Sequence, residues 1–147
     1  MVRINLIDPL YLMDQHLLAE HNEMLMLISY FRRYPLTRDD ASRIPERFVL
    51  GRGHMIFFKD KLLYIKRRHD EIREEMARRG YRSRRVISID CFPRTMLRDW
   101  RPDAHDVTII KARLIERVRS KPWLYTYYGR RLALDTLIRL IEDATWH

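Results

Sequence analysis

Apolar side chains recur every three or four residues in four separate blocks, and this spacing constrains the fold more than any other feature of the sequence. The blocks predict long helices over about residues 9–33, 54–79, 104–119 and 130–143. A short helical turn is expected at Thr37-Arg38-Asp39-Asp40, which resembles a capping box, and Gly80 is expected to end the second long helix. Because 147 residues suffice for about one domain, the sequence predicts a compact, all-α single domain of three to five helices with long connecting loops.

Composition excludes several classes of protein. The four glycines, at positions 51, 53, 80 and 129, cannot form either of the common glycine-rich phosphate loops. The single cysteine, Cys91, excludes an internal disulfide framework and a cysteine-rich zinc module, and the six histidines lack recognised metal spacing. No apolar run reaches the roughly 18 residues that a membrane span needs. We therefore expect no cofactor, no bound metal and no membrane association, in a reducing, intracellular setting.

The chain is strongly basic. Lysine and arginine total 29 against 20 acidic residues, the net charge is +9, and all but five of the cations are arginine. The planar guanidinium pairs with two phosphate oxygens at once, so this balance suggests a polyanionic partner, most often nucleic acid. A solvated basic surface in an arginine-rich proteome explains the composition equally well. Near the C-terminal end, aromatic and cationic side chains interleave as they do on nucleic-acid surfaces: Tyr125, Tyr127, Tyr128, Arg130 and Arg131. Core packing at a helix start explains these tyrosines equally well.

The first predicted helix has a second, polar face. His16, Glu20 and Glu23 lie four and three residues apart, so their side chains share one stripe. From the residues alone we interpret this stripe as a solvated helix face. His21 falls on the apolar stripe of the same helix and is interpreted as a core or boundary histidine.

The N-terminus offers a reactive amine. Met1 precedes the small residue Val2, a context in which the initiator methionine is commonly removed. An α-amine has a pKa of about 7.7–8.0, against about 10.4 for lysine, so a larger share of it is neutral near pH 7. The amine of Val2 is therefore a candidate Schiff-base nucleophile.

Several short motifs along the chain resemble one known enzyme family. They are Met1-Val2-Arg3-Ile4-Asn5-Leu6, Asp14-Gln15-His16-Leu17, Ala19-Glu20 and Glu23, then residues 48–54, residues 57–62 and Arg79-Gly80, and finally Ala112-Arg113-Leu114, Pro122 and Tyr127-Tyr128-Gly129. In this order they resemble the bacteriophage pyrimidine-dimer DNA glycosylase family, often called endonuclease V, over most of residues 1–131. The resemblance implies a compact all-α enzyme that binds ultraviolet-damaged DNA, kinks the duplex and extrudes the base opposite the lesion.

The resemblance also implies roles for individual residues. The amine of Val2 would attack the sugar carbon that bears the damaged thymine, while the carboxylate of Glu23 would stabilise positive charge on the sugar and shuttle a proton. At two positions of the first helix where the family has arginines that contact the DNA backbone, this chain has Asn22 and Met26. Part of the family's set of contacts with the DNA backbone is therefore changed. The other residues that match the DNA-binding site are Arg3, Gln15, His16, Arg113, Arg117, Tyr127 and Tyr128.

These implications predict a DNA repair enzyme: a glycosylase with abasic-site (β-elimination) lyase activity on cyclobutane pyrimidine dimers. Its expected partner is double-stranded DNA containing damage, and it is expected to act as a monomer, inside the cell where the genomic DNA lies, from a cellular or a viral gene. One glycosylase-like domain would span residues 1–147, with a C-terminal helical extension at about 132–147. Two alternatives stay open: a glycosylase and lyase for another lesion, such as a ring-opened purine or an abasic site, and a non-catalytic basic DNA-binding protein of the same fold.

Overall fold

The computed structural model describes residues 3–147, and the regular structure of this part of the chain is helical. A single 3-10 turn at Pro9–Tyr11 precedes the first α-helix, and two others, Arg94–Met96 and Pro122–Leu124, lie between later α-helices; residues 3–147 contain no β-strand. The all-α prediction is confirmed. None of the helices in these residues is long and apolar enough to span a membrane. The helices are α1 Asp14–Arg33, α2 Arg38–Arg43, α3 His54–Phe57, α4 Leu62–Arg78, α5 Ala104–Ser120 and α6 Leu134–Glu142.

The second long helix, predicted over 54–79, is divided in two. Helix α3 ends at Phe57 and α4 begins at Leu62, because Lys61 between them leaves the helical conformation at φ −126° and ψ 40°. The ammonium group of this buried lysine donates to Phe57 O at 2.9 Å and to Asp60 Oδ1 at 2.8 Å. These contacts stabilise the break, which the apolar spacing does not reveal. Six α-helices therefore form in the described residues, one more than the upper end of the expected range.

The start of the first helix also differs from the prediction. Asp8 accepts a hydrogen bond from Leu10 N at 2.9 Å, as a helix cap does, but only one 3-10 turn follows it. The chain becomes extended at Leu12, with ψ 141°, and α1 begins only at Asp14. This offset leaves the Asp14 carboxylate free to accept hydrogen bonds from elsewhere in the molecule.

Two short-range predictions are confirmed. Thr37 Oγ1 accepts from Asp40 N at 3.1 Å and Asp40 Oδ2 accepts from Thr37 N at 3.2 Å, which is a capping box at the start of α2. Gly80 follows α4 with φ +87°, and Tyr81 N donates back to Met76 O at 2.8 Å. The left-handed conformation that this reversal requires is one that glycine adopts at no steric cost.

Helix α1 packs against α4 around a buried ion pair. Arg68 on α4 donates to the two carboxylate oxygens of Glu20 at 2.5 and 3.1 Å, and Glu20 is fully buried. The prediction that Glu20 belongs to a solvated stripe is therefore wrong. His21 was correctly assigned to the core side: it is buried, and its ring stacks on His69 of α4 at 4.7 Å.

The C-terminal segment packs against α5 and the N-terminal segment. Helix α6 lies within the expected extension of residues 132–147 and packs its buried Leu137 and Ile141 against α5. Lys111 on α5 donates to Glu142 O at 2.8 Å, and Asp8 N donates to Thr145 O at 2.7 Å. The extension is thus part of the packed core of the described residues.

Candidate active site

A polar cleft of about 310 Å³ opens between α1, α5 and the N-terminal segment. Five of the residues that the resemblance assigns to the site line this cleft together. A second cleft of about 480 Å³ adjoins it along α5 and shares Arg3, Arg113 and Arg117 with it. The lining residues of the first cleft are Arg3, Asn5, His16, Ala19, Glu23, Arg113, Leu114, Arg117 and Tyr125.

Glu23 presents its carboxylate to the N-terminal segment. Its Oε2 accepts a hydrogen bond from the backbone N–H of Arg3 at 3.0 Å, and the side chain is half-buried. Burial raises the pKa of Glu23 above its usual value, and the negative charge of Glu20 adds to this effect, while the Arg3 N–H opposes it. A carboxylate whose pKa lies closer to neutral exchanges protons more readily at physiological pH, as acid–base catalysts do.

The N-terminal segment is held by three side chains in succession. The backbone N–H groups of residues 3, 4 and 5 donate to Glu23, to His54 Nε2 at 3.0 Å and to Glu20 Oε1 at 3.1 Å. His54 Nδ1 in turn lies 2.9 Å from Val49 O, so this nitrogen carries the proton and Nε2 is free to accept. Burial, followed by the charges of nearby arginines, lowers the pKa of His54 to about 4, which keeps the ring neutral.

Backbone strain follows directly after this segment. Leu6 has φ +59° although it is not glycine, and Ile7 N donates to Asn5 O across it at 2.5 Å. A residue in this conformation typically costs about 1–3 kcal/mol, and such strain persists where surrounding contacts impose it, often at functional sites. The contacts of residues 3–5 and the burial of Leu6 are what impose it here.

Three guanidinium groups converge on the cleft. Burial, together with the neighbouring charges of Arg3 and Arg117, lowers the pKa of Arg113 to about 10. Arg113 Nη1 is buried and has no hydrogen-bond partner among the described residues. Glu23 is the one carboxylate among the residues that line this cleft, so the site carries an excess of positive charge. An anion such as a phosphate would supply the missing acceptor.

His16 adds a neutral ring to the wall of the cleft. It packs against the ring of Tyr125 with a centroid distance of 4.7 Å. Burial, followed by the charges of Arg113 and Arg117, lowers the pKa of His16 to about 4. The imidazole is therefore uncharged at neutral pH and does not add to the repulsion among the arginines.

Two of the predicted site residues on α1 lie outside the cleft lining. Gln15 donates to Thr126 Oγ1 at 3.0 Å and accepts from Thr126 N at 2.9 Å. It therefore positions the residue directly before Tyr127 and Tyr128. Asn22 is exposed, and its Oδ1 lies 3.0 Å from His21 Nδ1. Val2 lies outside the described residues.

Tyr127 and Tyr128 are used in packing. The hydroxyl of Tyr127 donates to Leu10 O at 2.8 Å and that of Tyr128 donates to Glu75 at 2.5 Å. Both rings face the guanidinium group of Arg79, at 4.9 and 4.6 Å from its central carbon. They fix the C-terminal segment against the end of α4 and do not line the cleft. The packing explanation of these tyrosines is the one that their contacts support.

The site residues predicted from the sequence omit four of the lining residues: Asn5, Ala19, Leu114 and Tyr125. Ala19 lies four residues before Glu23 and shares its helix face, so helical spacing alone could have identified it. Asn5, Leu114 and Tyr125 reach the cleft because distant segments meet there. Of these three, only Tyr125 belongs to a local pattern that indicates DNA binding, the interleaved aromatic and cationic residues near the C-terminal end. Within residues 3–147, no group of three or more His, Cys, Asp or Glu side chains is arranged to hold a metal ion.

Comparison with known families adds a decisive observation. A model of the pyrimidine dimer DNA glycosylase family matches residues 1–88 of the 147-residue chain. The chain belongs to this family. It is a DNA repair glycosylase that acts on pyrimidine dimers, and DNA is its substrate. The matched part of the glycosylase contributes Arg3, His16 and Glu23 to the cleft, while Arg113 and Arg117 lie beyond it on α5.

Proposed function

We propose that this glycosylase is also an abasic-site lyase, and that both steps use a Schiff base between the α-amine of Val2 and the damaged nucleotide. The observation that carries the proposal is the hydrogen bond from Arg3 N to Glu23 at 3.0 Å. Three covalent bonds separate the amine of residue 2 from Arg3 N, so the two nitrogens lie within about 4 Å of each other. Once Met1 is removed, chain connectivity keeps this amine in the neighbourhood of the catalytic carboxylate.

The distribution of lysines supports the same nucleophile. No lysine is among the described residues that line the cleft. Lys59 and Lys61 are buried in ion pairs with Asp40 and Asp60, and Lys111 donates to Glu142 O on the α6 side of α5. An imine needs a primary amine, and the α-amine is the one that connectivity brings to Glu23.

The glycosylase step begins with attack of the neutral amine on C1′ of the damaged nucleotide. The C1′–N bond to the pyrimidine breaks, and the base leaves with that electron pair. The attacking nitrogen gives one of its two protons to the departing pyrimidine. The C1′–O4′ bond then breaks as the nitrogen lone pair forms the C=N bond, and the ring oxygen takes up a proton. The product is a protonated imine, an iminium, that keeps the other amine proton. Glu23 as a carboxylate stabilises the positive charge on the sugar, and in its protonated form it supplies the ring-oxygen proton.

The lyase step uses the imine as an electron sink. Loss of a proton from C2′ moves an electron pair towards the iminium nitrogen, and the 3′ phosphate then leaves in a β-elimination. Water hydrolyses the remaining imine and restores the amine. The raised pKa of Glu23 suits a group that accepts and returns protons during these steps.

The arginines of the cleft are proposed to bind the DNA backbone. Arg3, Arg113 and Arg117 surround one carboxylate. Burial and, after it, the excess of positive charge lower the pKa of Arg113, and a phosphate would neutralise that excess. We propose that the enzyme acts as a monomer on double-stranded DNA containing damage. His16, in its neutral form, would contact the sugar or base beside these phosphates.

Borohydride trapping tests this chemistry. The protein is incubated with a duplex containing one cyclobutane pyrimidine dimer and sodium borohydride, which reduces an imine to a stable covalent adduct, and the adduct is mapped by peptide mass spectrometry. We expect the label on the amine of Val2. Glu23→Gln should abolish most trapping, whereas Glu74→Gln, at an exposed position on α4, should leave it unchanged. A label on a lysine, or strand cleavage without any trappable adduct, would refute the mechanism.

A further inference from the structure

His54 is a buried histidine whose two ring nitrogens both meet backbone groups. It is 1% exposed, and its ring packs edge-on against the rings of Phe48 and Phe58, at centroid distances of 5.3 and 5.5 Å. Nδ1 lies 2.9 Å from Val49 O, and Nε2 accepts from Ile4 N at 3.0 Å, although Ile4 is 50 residues away in the sequence. His54 therefore joins the N-terminal segment to the chain that leads into α3.

These two partners determine which form of the ring can make both bonds. Val49 O only accepts, so Nδ1 carries the proton, and Ile4 N–H only donates, so Nε2 must be unprotonated. A charged imidazolium would present a second N–H to Ile4 N and lose this bond. Burial lowers the pKa of His54 to about 4; the hydrogen bond to Val49 opposes burial, and the charges of Arg3 and Arg113 add to it. The ring is therefore neutral near pH 7 and keeps its acceptor.

The turn before α3 holds the ring in this orientation. Gly53 has φ +87°, and a Cβ atom at this position would lie 3.2 Å from Pro45 Cγ and 3.3 Å from Val49 Cγ2. The turn is thus packed closely against the residue whose carbonyl oxygen accepts from His54. Because Nδ1 is bonded within this turn, the ring cannot rotate without losing that bond, and Nε2 stays directed at Ile4.

Two successive amides of the N-terminal segment are bound by two different helices. Arg3 N donates to Glu23 of α1 at 3.0 Å, and Ile4 N donates to His54 of α3. The next amide donates to Glu20, one residue further from the α-amine. The bond from Arg3 N alone would let the segment pivot about one atom, whereas the bond from Ile4 N also fixes the direction of the chain. A displacement of about 1 Å in a reacting group can cost about 10²-fold in rate.

We propose that His54 is a positioning residue for the glycosylase reaction: its acceptor nitrogen fixes the backbone of Ile4 so that the amine of Val2 faces the damaged nucleotide. His54 is not among the described residues that line either cleft, so it would act through the N-terminal segment and not by touching DNA. The inference rests on the proposed function, because it takes that amine as the nucleophile.

Two amide substitutions separate the roles of the two ring nitrogens. Counted in bonds from Cβ, the amide oxygen of glutamine is as far away as Nε2, and the amide nitrogen of asparagine is as far away as Nδ1. His54→Gln therefore keeps an acceptor for Ile4 N, whereas His54→Asn keeps a donor for Val49 O and ends short of Ile4. Leu137→Ala, at a fully buried position where α6 packs against α5, is the matched control for a loss of stability.

The rate of borohydride trapping on a saturating dimer-containing duplex tests the proposal, with each variant at a temperature where it is folded. We expect His54→Asn to lower this rate by about 10–10²-fold while its Kd for the duplex stays within about twofold of wild type. His54→Gln should recover most of the rate, and Leu137→Ala should match wild type. Amide hydrogen exchange of Ile4, followed by NMR, should become faster in His54→Asn and stay slow in His54→Gln.

Equal trapping rates for His54→Asn and Leu137→Ala, or equal losses in His54→Asn and His54→Gln, would refute the positioning role. In either case the wild-type adduct would still map to Val2. A failure of the Schiff-base mechanism is distinguishable, because the wild-type protein itself would then form no adduct or form it on another residue.

Discussion

Two carboxylates that lie three residues apart on α1 should respond in opposite ways to the same substitution. Glu20 is fully buried against Arg68, whereas Glu23 is half-buried in the cleft. Replacing either one with glutamine removes a single charge and keeps the size of the side chain. We expect Glu20→Gln to lower the free energy of unfolding and Glu23→Gln to lower the rate of catalysis.

The cost of Glu20→Gln follows from the partner that it leaves behind. Arg68 is 4% exposed, and burial by itself would lower its pKa, but the charge and hydrogen bonding of Glu20, together with the smaller effects of Tyr64 and Glu71, outweigh burial and raise it. Without that carboxylate the guanidinium is a buried charge without its counter-ion. Removing one member of a buried ion pair typically costs about 3–5 kcal/mol, out of a total stability of about 5–15 kcal/mol for a domain.

The effect of Glu23→Gln on stability should be small. The glutamine amide oxygen still accepts from Arg3 N, and the raised pKa of Glu23 means that folding disfavours its charged form, so removing the charge does not destabilise the fold. The catalytic effect should be large, since loss of a positioned acid or base costs about 10²–10⁴-fold in rate. This corresponds to about 3–5 kcal/mol on the activation barrier.

The assay pairs urea unfolding, followed by circular dichroism, with single-turnover base release from a dimer-containing duplex. Both are measured at a temperature where each variant is folded. Glu20→Gln should lose about 3–5 kcal/mol of stability while its folded fraction stays active, and Glu23→Gln should show the reverse pattern. If Glu20→Gln costs less than about 1 kcal/mol, or Glu23→Gln retains more than about a tenth of the wild-type rate, the assignment of the two carboxylates is wrong.

Two further outcomes are expected. Replacing Asn22 and Met26 together with arginine should steepen the salt dependence of DNA binding by up to about two units of slope, because both positions are exposed on α1; identical slopes in a salt titration would show that this face does not meet DNA. Burial raises the pKa of Asp14, but hydrogen bonds from Thr126, Gly129 and Arg79 outweigh it and lower that pKa below 3.8. Asp14→Asn should therefore destabilise the protein by about 1–3 kcal/mol near pH 7, and its difference from wild type in urea unfolding should shrink as pH falls below 3.8; a difference that does not change with pH would contradict this account.

Features that depend on a few neighbouring residues were predictable from the sequence. The capping box of Thr37 and Asp40 and the helix end at Gly80 need only groups within five residues of one another, so the local pattern is sufficient. The apolar face of α5 could be predicted in the same way. A helix that buries one side has apolar residues every three or four positions, and this spacing is visible in the sequence. The family motifs near the N-terminus indicated the glycosylase because they are short, ordered and specific.

Only the tertiary structure decided which polar residues are buried and which of them meet. On the sequence, Glu20 and Glu23 belong to one polar stripe, yet Arg68 from another helix draws Glu20 into the core and leaves Glu23 at the cleft. From the sequence, Tyr127 and Tyr128 could either contact DNA or pack within the protein. Their contacts with Leu10, Glu75 and Arg79 in the structure support packing. The physical reason is range: helical periodicity reports the side of a helix that is apolar, whereas the partner of a charged group comes from a segment tens of residues away, and no local spacing encodes that partner.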